Sequence, residues 1–133
     1  MIDVRKVKQL VVTTADKPGL LADISKAVAK QGVNFEAICA YGMEGKAVFY
    51  LVCSDHRKAK AALKKKGFKV KEEEVVILGL ENKPGSLSEV AEKLKSKKIN
   101  LVYCYGSACD CLCDCCRLVF KAENNDKAIA ALR

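Results

Sequence analysis

The 133-residue chain holds one histidine, His56, and only 6% aromatic residues. A Ser/His/Asp or Cys/His catalytic set needs an imidazole beside a nucleophile. His56 instead follows a helix-capping residue in a lysine-rich stretch, where it reads as an exposed helix-start residue rather than a ligand. No G-x-x-x-x-G-K-[ST] loop is present to cradle phosphates, and no paired carboxylates converge recognisably on a pocket. The expectation is a protein that is not an enzyme. The few aromatics are not interleaved with basic residues, so the stacking platforms of single-strand binders are missing. No apolar run approaches the roughly 20 residues that cross a bilayer. The N-terminal MIDVRKVKQLVV passes from charged residues into a strand-like run without the apolar stretch of a signal peptide. A cytoplasmic protein with neither a membrane nor a nucleic-acid partner is expected.

Charge is abundant, with 24 Lys and Arg against 16 Asp and Glu for a net +8. The lysines stand on helix faces, as in KAKAALKKK (58–66), and the densest cluster is answered at once by Glu72, Glu73 and Glu74. That pattern is a solvated basic face.

The chain repeats itself. ADKPGLLADISKAVAKQGVNF (15–35) aligns with ENKPGSLSEVAEKLKSKKINL (81–101), Pro18 matching Pro84 and Asn34 matching Asn100 at one offset of 66 without a gap. AVFYLVCSDHRKAKAAL (47–63) resembles RLVFKAENNDKAIAAL (117–132) at an offset of 69. In the first copy KQLVVTT (8–14) reads as a central strand. Leu20, Leu21, Ile24, Ala27 and Val28 then recur at helical spacing up to Gly32. Strands follow over 35–41 and 47–53, joined by a turn at 42–45. A second helix, capped by Ser54 or Asp55, runs to about Lys66, and GFKVKEEE (67–74) is a closing strand. The boundary falls near Glu74 with no Pro/Gly/Ser linker, giving units 1–74 and 75–133. Each half, at about 65 residues, is marginal alone and gains from packing or association.

A strand, then D-K-P-G-L-L or N-K-P-G-S-L opening a helix, then G-V-N-F or K-I-N-L opening a strand, resembles the ACT domain. The whole chain, from about residue 7 to 132, resembles short proteins made of two tandem ACT units. The resemblance implies an α+β fold of ferredoxin-like βαββαβ units with strands ordered 4-1-3-2. It also implies a non-catalytic regulatory role, with an amino acid or similar small effector bound near the loop joining first strand to first helix. The candidate ligand-binding residues are then Asp16, Lys17, Gly19, Leu20 and Leu21 in one copy and Asn82, Lys83, Gly85, Ser86 and Leu87 in the other. Asn34 and Asn100 open the second strands and are expected to face those loops. The residues suit the role on their own account: glycine lets a ligand approach the backbone, and free N–H groups at a helix start favour a carboxylate.

Two features depart from the family pattern. The second copy stops after its second helix, so it lacks its last strand, and the edge of VVILGLE (75–81) is left unpaired. Either the partner unit or a second chain, in a homo-oligomer, is expected to cover that edge. The other feature is the cysteine segment 107–117, between the second and third strands of copy two. Of eight cysteines, Cys109, Cys111, Cys113, Cys115 and Cys116 crowd there. In extended chain the alternating four share a face, successive ones roughly 6.6 Å apart. Such density suits Zn²⁺, Cu⁺ or an iron–sulfur cluster, although the fold requires no cofactor. A thiolate metal-binding or redox-sensing protein on an ACT scaffold is the alternative reading. Cys39, Cys53 and Cys104 read as small buried hydrophobes.

Overall fold

The computed structural model describes residues 3–108 and 115–133; of Cys115 only the backbone is described. The elements run β1 (Asp3–Ala15), α1 (Leu20–Ala29), β2 (Phe35–Met43), β3 (Lys46–Cys53), α2 (His56–Lys65), β4 (Val70–Glu81), α3 (Ser86–Ser96), β5 (Leu101–Ala108), β6 (Cys115–Ala122) and α4 (Asn125–Leu132). The chain forms two compact units. The N-terminal unit is Lys8–Glu73, and the C-terminal unit joins Met1–Val7 to Glu74–Arg133.

In the N-terminal unit the strand order is β2-β3-β1-β4. β1 pairs antiparallel with β3 (Leu10 opposite Leu51), and β2 pairs with β3 (Met43 opposite Lys46) through a two-residue turn in which Glu44 and Gly45 both take positive φ. α1 forms because its apolar residues recur every three or four positions. Leu20, Ile24, Ala27 and Val28 are buried against Leu10, Val12, Phe49 and Leu51. The helix stops at Gly32, whose φ of +69° suits glycine. α2 starts at Asp55, whose carboxylate accepts the Lys58 N–H at 3.1 Å, a cap worth about 1 kcal/mol. Lys64 and Lys65 occupy its last turn, where the helix dipole favours cations.

The C-terminal unit repeats the plan. Its helices pack Val90, Leu94, Ala128, Ile129 and Leu132 onto Val76, Leu78, Leu118 and Phe120. Asn124 caps α4 by accepting the Lys127 N–H at 3.0 Å. Among the described residues no strand follows α4. The order here is β1-β4-β6-β5, so residues 3–7 of β1 stand beside β4 in the place of the last strand. Val4 is buried in this core. Lys6 Nζ lies 2.9 Å from Asp126 and 3.4 Å from Glu74, and Arg133 donates to the Val4 carbonyl at 3.5 Å. Each unit therefore has the 4-1-3-2 order of a ferredoxin-like fold. Residues 3–7, placed with copy one by the 1–74 boundary, belong with copy two. They cover the edge that motivated association, so that argument for an oligomer falls away.

Of the three cysteines read as buried, Cys53 is in the core, Cys39 is half-buried and Cys104 is exposed on the edge strand β5. Burial, aided by the charge of Glu36, pushes the Cys53 thiol up to about 11. Thiolate is the reactive form, so iodoacetamide at mildly alkaline pH should label Cys104 at least about tenfold faster than Cys53, as read by peptide mass spectrometry. Equal rates would contradict the burial of Cys53.

His56 is not the exposed residue expected. Its side chain is 19% exposed, and Nε2 lies 3.2 Å from Glu72 Oε1. Glu72 also pairs with Lys60 and sits 3.9 Å from Lys8. Lys60 first, then His56, hold its carboxyl at about 2. A carboxyl depressed in the folded state favours folding above its ordinary value of 4.5, and that contribution disappears as pH falls toward 2. Urea midpoints should therefore drop between about pH 5 and pH 2 more steeply in wild type than in Glu72→Gln. Parallel curves would count against the pairing.

Candidate functional site

Both units build the same corner between their first strand and first helix. β1 ends at Ala15, and the Asp16 N–H donates to the Gly45 carbonyl at 2.9 Å, tying the corner to the β2–β3 turn. The Asp16 carboxylate lies over Gly42, where an added Cβ would come within 3.0 Å of Oδ2. Gly19, at φ +92°, precedes α1 and offers no side chain to cap it. Its carbonyl accepts the Asp23 N–H at 3.0 Å. Leu20 turns into the core, while Leu21 is 54% exposed beside it.

In the C-terminal unit Gly85 has the same φ of +92° and again leaves its helix without a side-chain cap. Its carbonyl accepts from Glu89 N–H at 3.0 Å and Ser88 Oγ at 2.9 Å. Ser86 is buried, Leu87 is 56% exposed and Asn82 is exposed. Lys83 differs from Lys17: its ammonium lies 3.2 Å from Glu81, whereas Lys17 has no carboxylate partner among the described residues. In both corners the glycine is required by positive φ and no side chain caps the helix, an arrangement that suits an anion, although in the C-terminal corner the Ser86 N–H already donates to the Lys83 carbonyl at 3.3 Å.

The structure does not bring the two asparagines to these corners. The Asn34 N–H donates to Ser54 Oγ at 2.9 Å and its carbonyl accepts the Ser54 N–H at 2.8 Å. Asn34 precedes the Phe35 end of β2, whereas Asp16 and Gly45 lie at the Met43 end. A nine-residue strand separates them, about 26 Å at strand rise. Asn100 likewise bonds to Glu123, through Nδ2 at 3.2 Å and through its carbonyl at 3.1 Å. Each asparagine ties the start of one strand to the end of its neighbour. This is a structural role that a match in spacing could not separate from ligand contact.

Cys109, Cys111 and Cys113 lie outside the described residues, as does the side chain of Cys115; Cys116 is half-buried and forms no disulfide among the described residues. Among the described residues no group of three or more His, Cys, Asp or Glu is placed to hold a metal. No described helix is long and apolar enough to cross a membrane.

Sequence reasoning missed two clefts of the N-terminal unit. One, of about 650 Å³, is lined by Thr14, Lys17, Leu20, Asp23, Lys26, Ala27, Lys30, Lys66 and Phe68. The other, of about 430 Å³, shares Thr14 and is lined by Lys46, Lys69 and Lys71. Part of the signal was the lysine run, which supplies Lys66 and leads into Lys69 and Lys71, and which was set aside because three glutamates follow it. In the folded chain Glu72 is directed to Lys60, His56 and Lys8, and Glu74 to Lys6, leaving the cleft lysines without those partners.

A family model described as an ACT domain pair matches residues 5–132. Comparison with curated proteins gives no match. Among solved structures, a protein from Bacteroides thetaiotaomicron is similar at 29% identity and a TM-score of 0.88, over 97% of this chain and 88% of that one. The ligand-free regulatory subunit of aspartate kinase from Thermus thermophilus is similar at 16% identity and a TM-score of 0.69, over 99% and 93%. That of Thermus flavus is similar at 17% identity and a TM-score of 0.62, over 97% and 94%. At such identities the last two speak for the fold alone.

Proposed function

Since the chain belongs to the ACT domain pair family, we propose that it is a non-catalytic regulatory protein that binds an amino acid or a similar small effector at its strand-to-helix corners. The observation that carries this reading is the recurrence of one geometry in both units. Gly19 and Gly85 share the same φ, each opens a helix that no side chain caps, and each is followed two residues on by an exposed leucine. The uncapped N–H groups suit the effector's carboxylate, and Leu21 or Leu87 offers apolar surface to its side chain. The two aspartate kinase subunits of similar fold are regulatory subunits, which is consistent with the same role here. The one histidine, engaged with Glu72 at the start of α2, is at neither corner.

Thermal melting against the standard amino acids tests the proposal. A ligand present at 100 times its Kd should add about 2.7 kcal/mol of stability. Gly85→Asn keeps the left-handed conformation accessible while putting a side chain where the carboxylate would approach. It should lower or remove the shift and leave the ligand-free melting temperature nearly unchanged. No shift with any amino acid would overturn the reading.

A further inference from the structure

The larger cleft of the N-terminal unit is lined by lysines, two of which the C-terminal unit replaces at the matching positions. Lys17, Lys26, Lys30 and Lys66 line the larger one against a single carboxylate, Asp23. None of these lysines forms an ion pair among the described residues, whereas Lys6, Lys8, Lys60 and Lys83 all do. The repeat is an internal control. At the 66-residue offset Lys26 corresponds to Glu92 and Lys30 to Ser96. The second copy is basic too, but α3 carries its lysines at other positions, Lys93 and Lys95, so what the first copy has of its own is the placement of Lys26 and Lys30 on the cleft. Four ammonium groups around one concavity repel one another, and a ligand bearing several negative charges relieves that repulsion where a single carboxylate does not.

The shape narrows the ligand further. A volume of about 650 Å³ is within the range of small-molecule sites. Its floor is apolar: Leu20 and Ala27 are buried, and Phe68 is half-buried against the core. Lysine binds phosphate as a point charge, and an apolar floor accepts a ring. We propose that this lysine-lined cleft binds a small phosphorylated molecule of nucleotide size, and that the C-terminal unit has no equivalent site. The cleft shares Lys17 and Leu20 with the N-terminal corner, whereas the corner at Gly85 shares no residue with it, so amino-acid binding there and nucleotide binding here can fail separately.

The test is isothermal titration of the full chain with metal-free ATP and with inorganic tripolyphosphate, at low salt and again at physiological salt. Saturable 1:1 binding of ATP that weakens with salt is expected. The double variant Lys26→Glu/Lys30→Ser, which installs the residues of the other copy at exposed helix positions, should weaken it about tenfold or more. Lys66→Ala should weaken it less, and Lys95→Ala in the C-terminal unit not at all, with folding checked by circular dichroism. Absence of saturable binding by ATP, unchanged affinity in the double variant, or tighter binding of duplex DNA of arbitrary sequence than of ATP would each overturn the proposal.

Discussion

Val4→Asp should cost about 3–5 kcal/mol, among the largest effects of any single substitution in this chain. Val4 is 7% exposed and packs with Val76, Leu78, Phe120 and Leu132, so an aspartate there would place a carboxyl in an apolar core. The loss should fall on the C-terminal unit, because Val4 belongs to its core although it stands at the other end of the chain. Amide exchange makes the distinction. Protection should drop along the β4–β6 ladder, where Val76 faces Phe120 and Leu78 faces Leu118, and persist along the β1–β3 ladder, where Leu10 faces Leu51. Val4→Ala should give the same pattern at smaller amplitude. Loss confined to the β1–β3 ladder would show that residues 3–7 do not complete the C-terminal unit.

Gly106→Ala should destabilise by about 2–3 kcal/mol. A Cβ at Gly106 would meet the Arg117 carbonyl oxygen at 2.7 Å, Leu118 Cδ1 at 3.0 Å and Leu118 Cα at 3.3 Å. Two of these atoms are backbone of the paired strand β6, so relief requires β5 to move away from it. Gly42 on β2 is the contrasting case. A Cβ there would first meet Asp16 Oδ2 at 3.0 Å, the far end of a side chain that can rotate away. Gly42→Ala should therefore cost under about 1 kcal/mol, within the range of ordinary surface changes. Urea denaturation of both variants separates them; equal costs would mean that β5 yields as readily as a side chain.

Much of this architecture was legible in the chain. The 66-residue offset exposed the two copies, helical and strand periodicity placed α1, β2, β3 and α2 to within a few residues, and Lys17-Pro18-Gly19 with Asn82-Lys83-Pro84-Gly85 marked both corners. Those signals are local. A glycine at φ +92° or an apolar residue every third or fourth position reflects the geometry of its own segment, so it survives without knowledge of neighbours.

The pairing of distant segments was not legible. Asp3 to Val7 carries three charged residues and reads as a poor strand, yet its place beside β4 is set by the edge that copy two leaves open. Glu72 and Glu74 follow the lysine run in sequence, but alternation along β4 sends their carboxylates to Lys60, His56, Lys8 and Lys6 instead. The matched asparagines look like ligand residues until antiparallel register puts Asn34 beside Ser54 and Asn100 beside Glu123, at the end of each strand away from the glycine corners. The sequence by itself determined the repeat, the elements and the glycine corners, because each depends on bonds within a few residues. Strand partners, ion-pair partners and the lysine-lined clefts were decided by tertiary structure alone, because they depend on which surfaces meet once the chain has turned back on itself.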